Sequence, residues 1–555
     1  MLNTFSLDHS FPLSSADSVL IDSLEIEIEE SYNNFVENLC IENELSSISL
    51  LLSNTVRNVY TSSTYTIFSR ILLLDRKIKL GQLPDIIFVP SQEVKQIVDQ
   101  IIEDVEIPIE IKRNGPFAYL RIIKNFAVSL YLQLLYFSLS RLLYSKDLPD
   151  KPIIYLDTFT FKDSFTQEYG FDRYYTGYEE FLSNEEKGAI WYSPTIIDIK
   201  TPLQLYNLWC GQKSSKSQFI CEEVQLSFLD YLRSIIISLS LWKNIKKIPK
   251  YLNYEVDSFL SNEIKKEICS PGLVKALNKY TYIKNLCRKI KVTKVINWHE
   301  NQDIDRALNL AFKEFSPGTE IYGYQGYVSP RSDLHKSPKD FEFNLGTLPD
   351  TLGVISKRDL IYKSKLCPNQ KIEIAPSLRF SYLYAFKQQI DYKKNFKIYV
   401  PLPAELEDAK RIVLFCDGLA NEFRNRFKFL FKIHPKYSLK ELQMLIPQLR
   451  NPLFLHSNKQ VKDSLYEAFI VLSASSSACV EAYSIGLPVA ILSNSNGLTM
   501  NPIQDNDKKY LKLIYEKKDL IDFLNEVSDL PIRNVNIEEF FHKTSREEVR
   551  KIFVQ

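Results

Sequence analysis

The sequence predicts an α/β protein with two units, each built around a parallel sheet. Apolar segments of strand length alternate with segments of helical spacing, a pattern typical of parallel sheets covered by helices. The length of 555 residues exceeds one ordinary core, so two or three domains are expected. Near the C-terminus, residues 470–489 contain an apolar strand, a serine cluster, a helix and a second strand in direct succession.

Strand and helix signals divide the chain into four regions. Residues 1–80 are predicted to be a helical extension, because acidic residues open an apolar pattern of helical spacing. A first unit over 81–385 has a helix predicted at 303–315 and strands at 85–90, 107–111, 152–159, 189–194, 294–300, 320–326, 352–356 and 371–375. After a polar linker at 387–395, a second unit over 397–535 has helices predicted at 405–423, 438–446 and 460–467. Residues 536–555 are expected to form a helix that packs back on the first unit.

Composition and charge limit the classes of function. With 69 basic and 68 acidic residues the net charge is +1, which argues against nucleic-acid binding through bulk charge. The eight cysteines lack metal-ligand spacing, so we expect free thiols in a reducing compartment. No signal peptide is predicted, so a cytoplasmic location is expected. The apolar run 125–144 contains Ser, Gln and Arg and is interpreted as a buried domain helix, with a membrane span or membrane-surface segment as alternatives.

The serine cluster is the strongest candidate for a phosphate site. With only 15 glycines a glycine-rich loop is not expected, but a helix N-terminus and serine hydroxyls offer donors to an anion. Ligands of parallel sheets bind beyond the C-terminal ends of the strands, where a His-Pro pair also lies. We therefore expect one nucleotide crevice lined by Lys432, His434, Pro435, Ser475, Ser476, Ser477 and Glu481.

Each member of this set has a structural alternative. A His-Pro pair often forms the turn at the end of a strand, a serine before a helix is often only its N-cap, and Glu481 could be a solvated helix residue. In the functional interpretation, His434 donates to a phosphate or protonates the leaving phosphate, and Glu481 accepts from ribose hydroxyls. The conjunction of the three, followed by Gly-Leu-Pro-Val, is much more specific than any one of them.

The order His-Pro, then Ser-Ser, then Glu-Ala-x-x-x-Gly-x-Pro resembles the C-terminal half of GT-B glycosyltransferases. It is most similar to the bacterial enzymes that use CMP-activated acid sugars, the sialyltransferases and Kdo transferases of surface polysaccharide synthesis. The match covers about residues 397–500. The resemblance implies a GT-B fold, with two Rossmann-like domains facing a central cleft and extra N-terminal helices. It also implies that His434 and the serines contact the nucleotide phosphate.

The chain departs from the resembled family at the general base. The family carries an aspartate in an acidic motif of the N-terminal domain, whereas the comparable strand end here contains Gln325. Asp417 precedes a glycine as in that motif but lies inside a predicted helix of the other unit. We expect a substitute base from the first unit, with Glu300 preferred, beside His299, and Asp157 second. Together with His434 these are the candidate catalytic residues.

Substrate recognition is expected from other side chains of the same cleft. An acid, a cation and a ring follow one another at Asp172, Arg173 and Tyr174, which suit an anionic sugar or a glycan acceptor. Their structural alternative is a helix-cap aspartate with packed tyrosines. Arg379, near the junction of the units, could meet a carboxylate or phosphate, and Gln325 is the remaining candidate for acceptor binding.

The sequence thus predicts a glycosyltransferase acting on a nucleotide sugar, with a glycan or lipid-linked glycan as acceptor. Because no Asp-x-Asp motif lies at a predicted strand end, we expect no metal and no cofactor besides the donor, which the resemblance implies is CMP-linked. The resemblance also implies that the acceptor is lipid-linked, and a cytoplasmic protein working at the inner membrane face, with peripheral association, fits the absence of a predicted signal peptide and membrane span. Two alternatives stay open: a CDP-polyol phosphotransferase of the teichoic-acid type, with His299 as base, and a catalytically inactive nucleotide-sugar-binding protein.

Overall fold

Two six-stranded parallel sheets organise the chain, so the predicted α/β class is confirmed. The computed structural model describes residues 3–8, 11–103, 105–111, 117–144, 148–162, 164–165, 172–197, 199, 201–215, 217–267, 270–386, 391–503 and 509–554. Cys269 and residues 387–390 of the predicted linker lie outside these ranges. The seven described cysteines are all unpaired thiols.

The N-terminal sheet contains, from edge to edge, Ile190–Ile196, Ile153–Thr160, Val292–Trp298, Glu320–Gln325, Thr351–Val354 and Lys371–Ile374. Its strands follow the order 2-1-3-4-5-6, so the winding direction changes between the strands that end at Thr160 and Trp298. The helices of this unit are Phe117–Leu143, Asn184–Ala189, Pro202–Ser214, Phe228–Ser240, Asp257–Glu267, Pro271–Cys287, Asp303–Phe315, Asp340–Asn344 and Lys357–Leu366.

The C-terminal sheet contains, from edge to edge, Leu455–His456, Lys428–Lys432, Lys397–Pro401, Ala468–Ser473, Val489–Leu492 and Leu511–Ile514. Its order is 3-2-1-4-5-6, which is the Rossmann order, with the change of direction between the strands ending at Pro401 and Ser473. Ser473 Oγ donates to Pro401 O at 2.6 Å and ties these two strand ends together. The helices of this unit are Leu406–Asp417, Ala420–Phe423, Leu439–Leu445, Val461–Tyr466, Ser477–Ser484 and Lys517–Asp529.

Two predicted strands lie in a third, separate sheet. Ile86–Val89 and Ile109–Ile111 were expected in the sheet of the first unit, but they pair in parallel with Thr4–Ser6 instead. The partner strand at residues 4–6 carries no strand pattern of its own, so short strands could not be assigned to the right sheet. The helices of this part of the chain are Ser15–Ser23, Glu25–Glu42, Ser53–Val56, Ser63–Lys79 and Gln92–Ile101.

The N-terminal helices contact both large units. Tyr515 Oη, after the last strand of the C-terminal sheet, donates to Asp22 Oδ2 at 2.9 Å. On the other side, the fully buried Arg57 forms an ion pair with Glu342 of the N-terminal unit at 2.6 Å. Residues 1–80 are therefore joined to both units.

The chain crosses between the units twice, and the two crossings lie side by side. The first is the 3₁₀ segment Leu378–Ala385, and the second passes through Ile537–Glu539 to the helix Arg546–Phe553. Ser377 N donates to His542 O at 3.0 Å, and the rings of Phe380 and Phe541 are 4.5 Å apart. The last helix lies against the N-terminal unit, where Phe553 stacks on Tyr178 at 4.2 Å.

Candidate functional site

The candidate site lies at the carboxyl ends of the strands of the two large sheets, where polar side chains follow the strands. In doubly wound sheets a ligand binds beyond the carboxyl ends of the strands, where the winding direction changes. Glu300 follows the strand Val292–Trp298 at that point of the N-terminal sheet, and Ser475 follows Ala468–Ser473 at that point of the C-terminal sheet. His434 follows the neighbouring strand Lys428–Lys432.

The serine cluster forms the N-terminus of the helix Ser477–Ser484. Ser476 is the N-cap, and its hydroxyl accepts from Ala478 N at 3.3 Å. Ser475, Ser476 and Ser477 are all half-buried. The placement fits a phosphate site, and it equally fits the structural role of Ser476 as an N-cap.

Glu481 is buried and already hydrogen-bonded within the protein. The hydroxyl of Tyr382, in the first crossing segment, donates to its carboxylate, and Ser477 forms a second hydrogen bond. Burial raises the pKa of Glu481, while these two hydrogen bonds and the charge of Arg379 oppose the rise. A ribose hydroxyl would have to share or replace the Tyr382 contact in order to reach this carboxylate.

His434 is held as a neutral hydrogen-bond donor. Its Nδ1 accepts from Lys436 N at 3.2 Å, so the ring proton is assigned to Nε2. Burial lowers the pKa of His434 to about 4, and the charges of Lys436, Arg173 and Arg379 add to the effect. At neutral pH the ring therefore offers an N–H rather than a charge.

The other two residues of the predicted phosphate set contribute less. Lys432, at the end of its strand, donates from Nζ to Lys459 O at 2.7 Å and is therefore already hydrogen-bonded within the protein. Pro435 is exposed within the turn closed by Tyr437 N and His434 O at 3.0 Å. Pro435 therefore shapes the turn that holds His434.

Glu300 is the half-buried carboxylate at the end of the N-terminal sheet's central strand. Trp298 Nε1 donates to Glu300 Oε1 at 2.9 Å, and Gln302 Nε2 donates to Glu300 Oε2 at 2.7 Å. The next residue, Asn301, has φ of 55°, a left-handed turn that asparagine tolerates. The strand ends at Trp298, and of the two residues between it and this turn His299 is buried and Glu300 half-buried.

Arg379 connects the groups of the two units. Its guanidinium carbon lies 5.7 Å from the centre of the Trp298 ring, and Trp298 in turn holds Glu300. The charge of Arg379 also acts on His434 and on Glu481. The side chain is exposed, so it is available to an anionic ligand in the cleft.

The segment after residue 171 adds a second arginine. Asp172 Oδ1 accepts from Tyr174 N at 2.7 Å and from Tyr175 N at 3.2 Å, which makes Asp172 a turn-forming residue. Burial raises the pKa of Asp172 to about 6. The turn places Tyr174 against Trp298, with ring centres 4.6 Å apart, and places Arg173 where its charge lowers the pKa of His434.

The structure keeps three predicted site residues outside this group. His299 is 1% exposed, and burial lowers its pKa to about 3. Asp157 does not end its strand, which runs on to Thr160, and its carboxylate accepts from buried Lys279 at 2.6 Å. Gln325 is buried, donates to Lys336 O at 3.0 Å and accepts from Lys363. None of the three is placed to act as a base or to bind an acceptor.

Sequence reasoning missed three contributors to the site. Trp298 holds Glu300, Tyr382 binds Glu481, and the backbone of Lys436 fixes the tautomer of His434. Trp298 adjoins the predicted His299-Glu300 pair, so its position was a usable signal. Tyr382 lies in a crossing segment far from Glu481 in sequence, and Lys436 acts through its backbone amide. No residue pattern indicates either contact.

Asp417 lies away from the cleft, as expected for a residue outside the catalytic set. It is the last residue of the helix Leu406–Asp417 and accepts from Asn451 Nδ2 at 2.7 Å. It lines an open groove of about 690 Å³ on the C-terminal unit, together with Asn421, Arg424 and Gln448. Within the described ranges, no three His, Cys, Asp or Glu side chains converge as metal ligands would.

Solved structures with a similar fold have low sequence identity to this chain. UDP-GlcNAc 2-epimerase from Neisseria meningitidis, bound to UDP-GlcNAc, is 14% identical over 72% of this chain and 98% of its own, with a TM-score of 0.39. A trehalose-phosphate synthase from Burkholderia xenovorans is 9% identical over 72% and 97%, with a TM-score of 0.37. No protein-family model and no curated protein sequence matches the chain.

Proposed function

We propose that this chain is a glycosyltransferase that moves a CMP-activated acid sugar to a glycan acceptor in bacterial surface polysaccharide synthesis. The observation that supports the proposal is the gathering of His434, Arg173 and Arg379 near the half-buried carboxylate Glu300, at the carboxyl ends of strands in the two parallel sheets. Guanidinium groups bind phosphates and carboxylates through paired hydrogen bonds. A donor with a phosphate and a sugar carboxylate presents both kinds of anion.

The groups present can perform the transfer in one displacement. Glu300 takes the proton of an acceptor hydroxyl, and the hydroxyl oxygen forms a bond to the anomeric carbon. The bond between that carbon and the phosphate oxygen breaks, and its electron pair stays on the departing CMP. The Nε2–H of His434 and the N-terminus of the helix Ser477–Ser484 stabilise the developing phosphate charge.

The burial of His299 disfavours the polyol-phosphotransferase alternative. That mechanism needs a second histidine as base in the N-terminal part of the cleft, and His299 was the candidate. With 1% exposure and a pKa lowered to about 3, it has no access to an acceptor hydroxyl. A nucleotide-sugar-binding protein without transferase activity would keep the same anion contacts. The turnover measured for wild type and Glu300→Gln, described below, separates a transferase from such a binding protein.

We further propose a metal-independent reaction in the cytoplasm, with a lipid-linked glycan as acceptor at the inner membrane face. The proposal is supported by the family resemblance and by the absence of an Asp-x-Asp motif at a predicted strand end. Turnover that is unchanged by a chelator is the expected result. Loss of turnover on chelation, restored by a divalent cation, would contradict metal independence.

Nucleotide binding is tested by thermal unfolding of the chain with CMP, CDP, UDP or GDP. A ligand present at about 100 times its Kd stabilises by about 2.7 kcal/mol, which raises Tm by several degrees. We expect CMP to raise Tm and UDP and GDP to have no effect. A preference for CDP would instead favour the phosphotransferase, and no response to any nucleotide would refute the proposed pocket.

The base is tested by Glu300→Gln, with release of CMP from CMP-sialic acid or CMP-Kdo in the presence of glycan acceptors as the measurement. The amide keeps the hydrogen-bonding shape but cannot take the proton, so CMP affinity should stay and kcat should fall about a hundredfold or more. Glu110→Gln, on an exposed edge strand, is the matched control. Turnover by Glu300→Gln equal to that of wild type would remove Glu300 as the base.

A further inference from the structure

The long helix Phe117–Leu143 has an exposed apolar side. Within the part of the chain that the structure describes, Ile123–Leu143 is the one helical segment with the length and hydropathy of a membrane span. Only 28% of its most apolar stretch is buried in the protein. Residues 125–144, interpreted as a buried domain helix, are therefore buried on one side only. Ile123 and Leu142 are 63% and 79% exposed.

The exposed apolar surface continues onto two neighbouring helices. Leu203 is exposed on Pro202–Ser214, and Leu229, Ile236 and Leu239 are exposed on Phe228–Ser240. Trp242, in the 3₁₀ turn that follows, is 36% exposed. We call the exposed sides of these three helices and the turn the apolar face.

Side-chain contacts show that the three helices adjoin. The ring of Phe137, on the long helix, is 6.1 Å from that of Phe228 at the start of the third helix. Arg141 lies over the Phe137 ring at 4.8 Å and donates to Leu226 O at 2.8 Å. On the other flank, the ring of Tyr144, just after the long helix, is 5.6 Å from that of Trp209 on the second helix.

Positive charges accompany the apolar residues on these helices. The sequences of the three helices and the turn contain one acidic residue, Asp230, which is hydrogen-bonded to Ser227. Exposed basic side chains occur on every one of these elements, namely Lys124, Arg141, Lys213, Arg233 and Lys243. An apolar surface with basic residues and almost no acidic ones is complementary to an anionic lipid surface.

We propose that the apolar face docks this protein on the surface of an anionic bilayer. Apolar side chains enter the boundary between headgroups and acyl chains, while the basic side chains contact lipid phosphates. The proposal does not depend on the proposed transferase reaction, because lipid binding can be measured without any nucleotide.

The long helix lies along the bilayer and does not cross it, because its other side is part of the domain core. Gln133 Oε1 accepts from Asn278 Nδ2 at 2.7 Å, and Tyr136 Oη donates to Ile199 O at 2.8 Å. Ser129 and Ser140 are buried on the same side. Insertion as a span would break these contacts and expose polar groups to hydrocarbon.

Vesicle flotation of the full chain tests the proposal. We expect binding to phosphatidylcholine vesicles with about a third phosphatidylglycerol, weaker binding at high salt, and little binding to phosphatidylcholine alone. Trp242 should report insertion, because Trp209 and Trp298 are buried, Trp191 is half-buried on the strand Ile190–Ile196, and only Trp242 belongs to the apolar face. Its emission should shift to shorter wavelength on binding.

Variants of the apolar face test whether its side chains make the lipid contact. The double change Ile236→Asp and Leu239→Asp should reduce vesicle partitioning about tenfold or more. Ile361→Asp, at an exposed site on Lys357–Leu366, is the control and should bind as wild type. Should the double variant fail to fold, Arg233→Gln with Lys243→Gln should weaken binding to anionic vesicles and reduce its salt dependence.

Three results would overturn the proposal. The first is the absence of wild-type binding to anionic vesicles, and the second is undiminished binding by the folded variants. The third is a wild-type dimer in solution that becomes monomeric in the double variant, because the face would then be covered by a second copy of the chain.

Discussion

Replacing His434 by alanine tests the phosphate contact of the proposed site. The structure holds the imidazole neutral, with Nδ1 accepting from Lys436 N and the proton on Nε2. Alanine removes this donor. Glutamine carries an amide N–H that can reach part of the same space, so His434→Gln should restore some of the lost affinity.

The magnitude follows from one hydrogen bond to a charged acceptor. Such a bond contributes about 1.5–3 kcal/mol, so His434→Ala should weaken CMP binding roughly 10- to 150-fold. Charging His434 at pH 7 would cost about 4 kcal/mol, because its pKa is about 4 and each pH unit corresponds to 1.36 kcal/mol. The neutral ring is therefore the form that the ligand meets.

Calorimetric titration with CMP over about pH 6 to 8 is the assay. The phosphate of CMP titrates in this range, so the informative quantity is the ratio of the Kd of His434→Ala to that of wild type, in which the ligand's own titration cancels. We expect a constant ratio. His456→Gln, on the short edge strand Leu455–His456, is the control and should leave CMP affinity unchanged.

Two outcomes would refute the reasoning about His434. A ratio near one would mean that the imidazole does not contact the phosphate. A ratio that rises steeply as the pH falls through about 6.5 would mean that His434 titrates normally and binds as a cation, contrary to its burial beside Lys436, Arg173 and Arg379.

Three further predictions concern stability. Lys279→Met leaves the buried carboxylates of Asp157 and Glu222 without their cation, so urea unfolding should show a loss of about 3–5 kcal/mol. Lys250→Met, which removes the exposed ion pair of Lys250 with Glu255, should cause a much smaller loss. An equal loss in both would contradict the difference in burial between the two pairs. His299 binds a proton in the unfolded chain below about pH 6.5 but in the folded chain only near pH 3, so stability is full above pH 6.5 and falls with acidification by as much as about 5 kcal/mol. Its replacement by glutamine should flatten the dependence of unfolding free energy on pH over that interval, and an unchanged dependence would show that the ring titrates freely. Gly486→Ala should lower Tm by several degrees, because φ is +90° and the new Cβ would meet Arg533 O at 2.7 Å; Gly188→Ala, which meets no atom within 4 Å, should not.

Regular secondary structure was predictable where local signals agree. The helix predicted at 303–315 is found as Asp303–Phe315, because a capping box of Gln302 with Asp305 begins it and Pro317-Gly318 follows its end. The Glu405–Phe423 prediction merged two helices, since the break near Gly418 carries no proline to announce it.

Side-chain placement was harder to predict than the elements themselves. Asp157 was assigned to a strand end, but the following Thr-Phe-Thr continues the strand and alternation turns Asp157 toward Lys279. His299 and Glu300 are adjacent, yet His299 is buried and Glu300 is half-buried, a difference that their order in the sequence does not show. The apolar helix was expected to be buried because hydropathy alone does not show which side a domain covers.

The two crossings between the units have a mechanical consequence. Since Ser377 is hydrogen-bonded to His542 and Phe380 packs on Phe541, the two crossings would have to move together. A change in the angle between the two sheets would also disturb the contacts by which residues 1–80 join both units, such as that of Tyr515 with Asp22. Tyr382 belongs to the first crossing, so the same change would alter its hydrogen bond to Glu481.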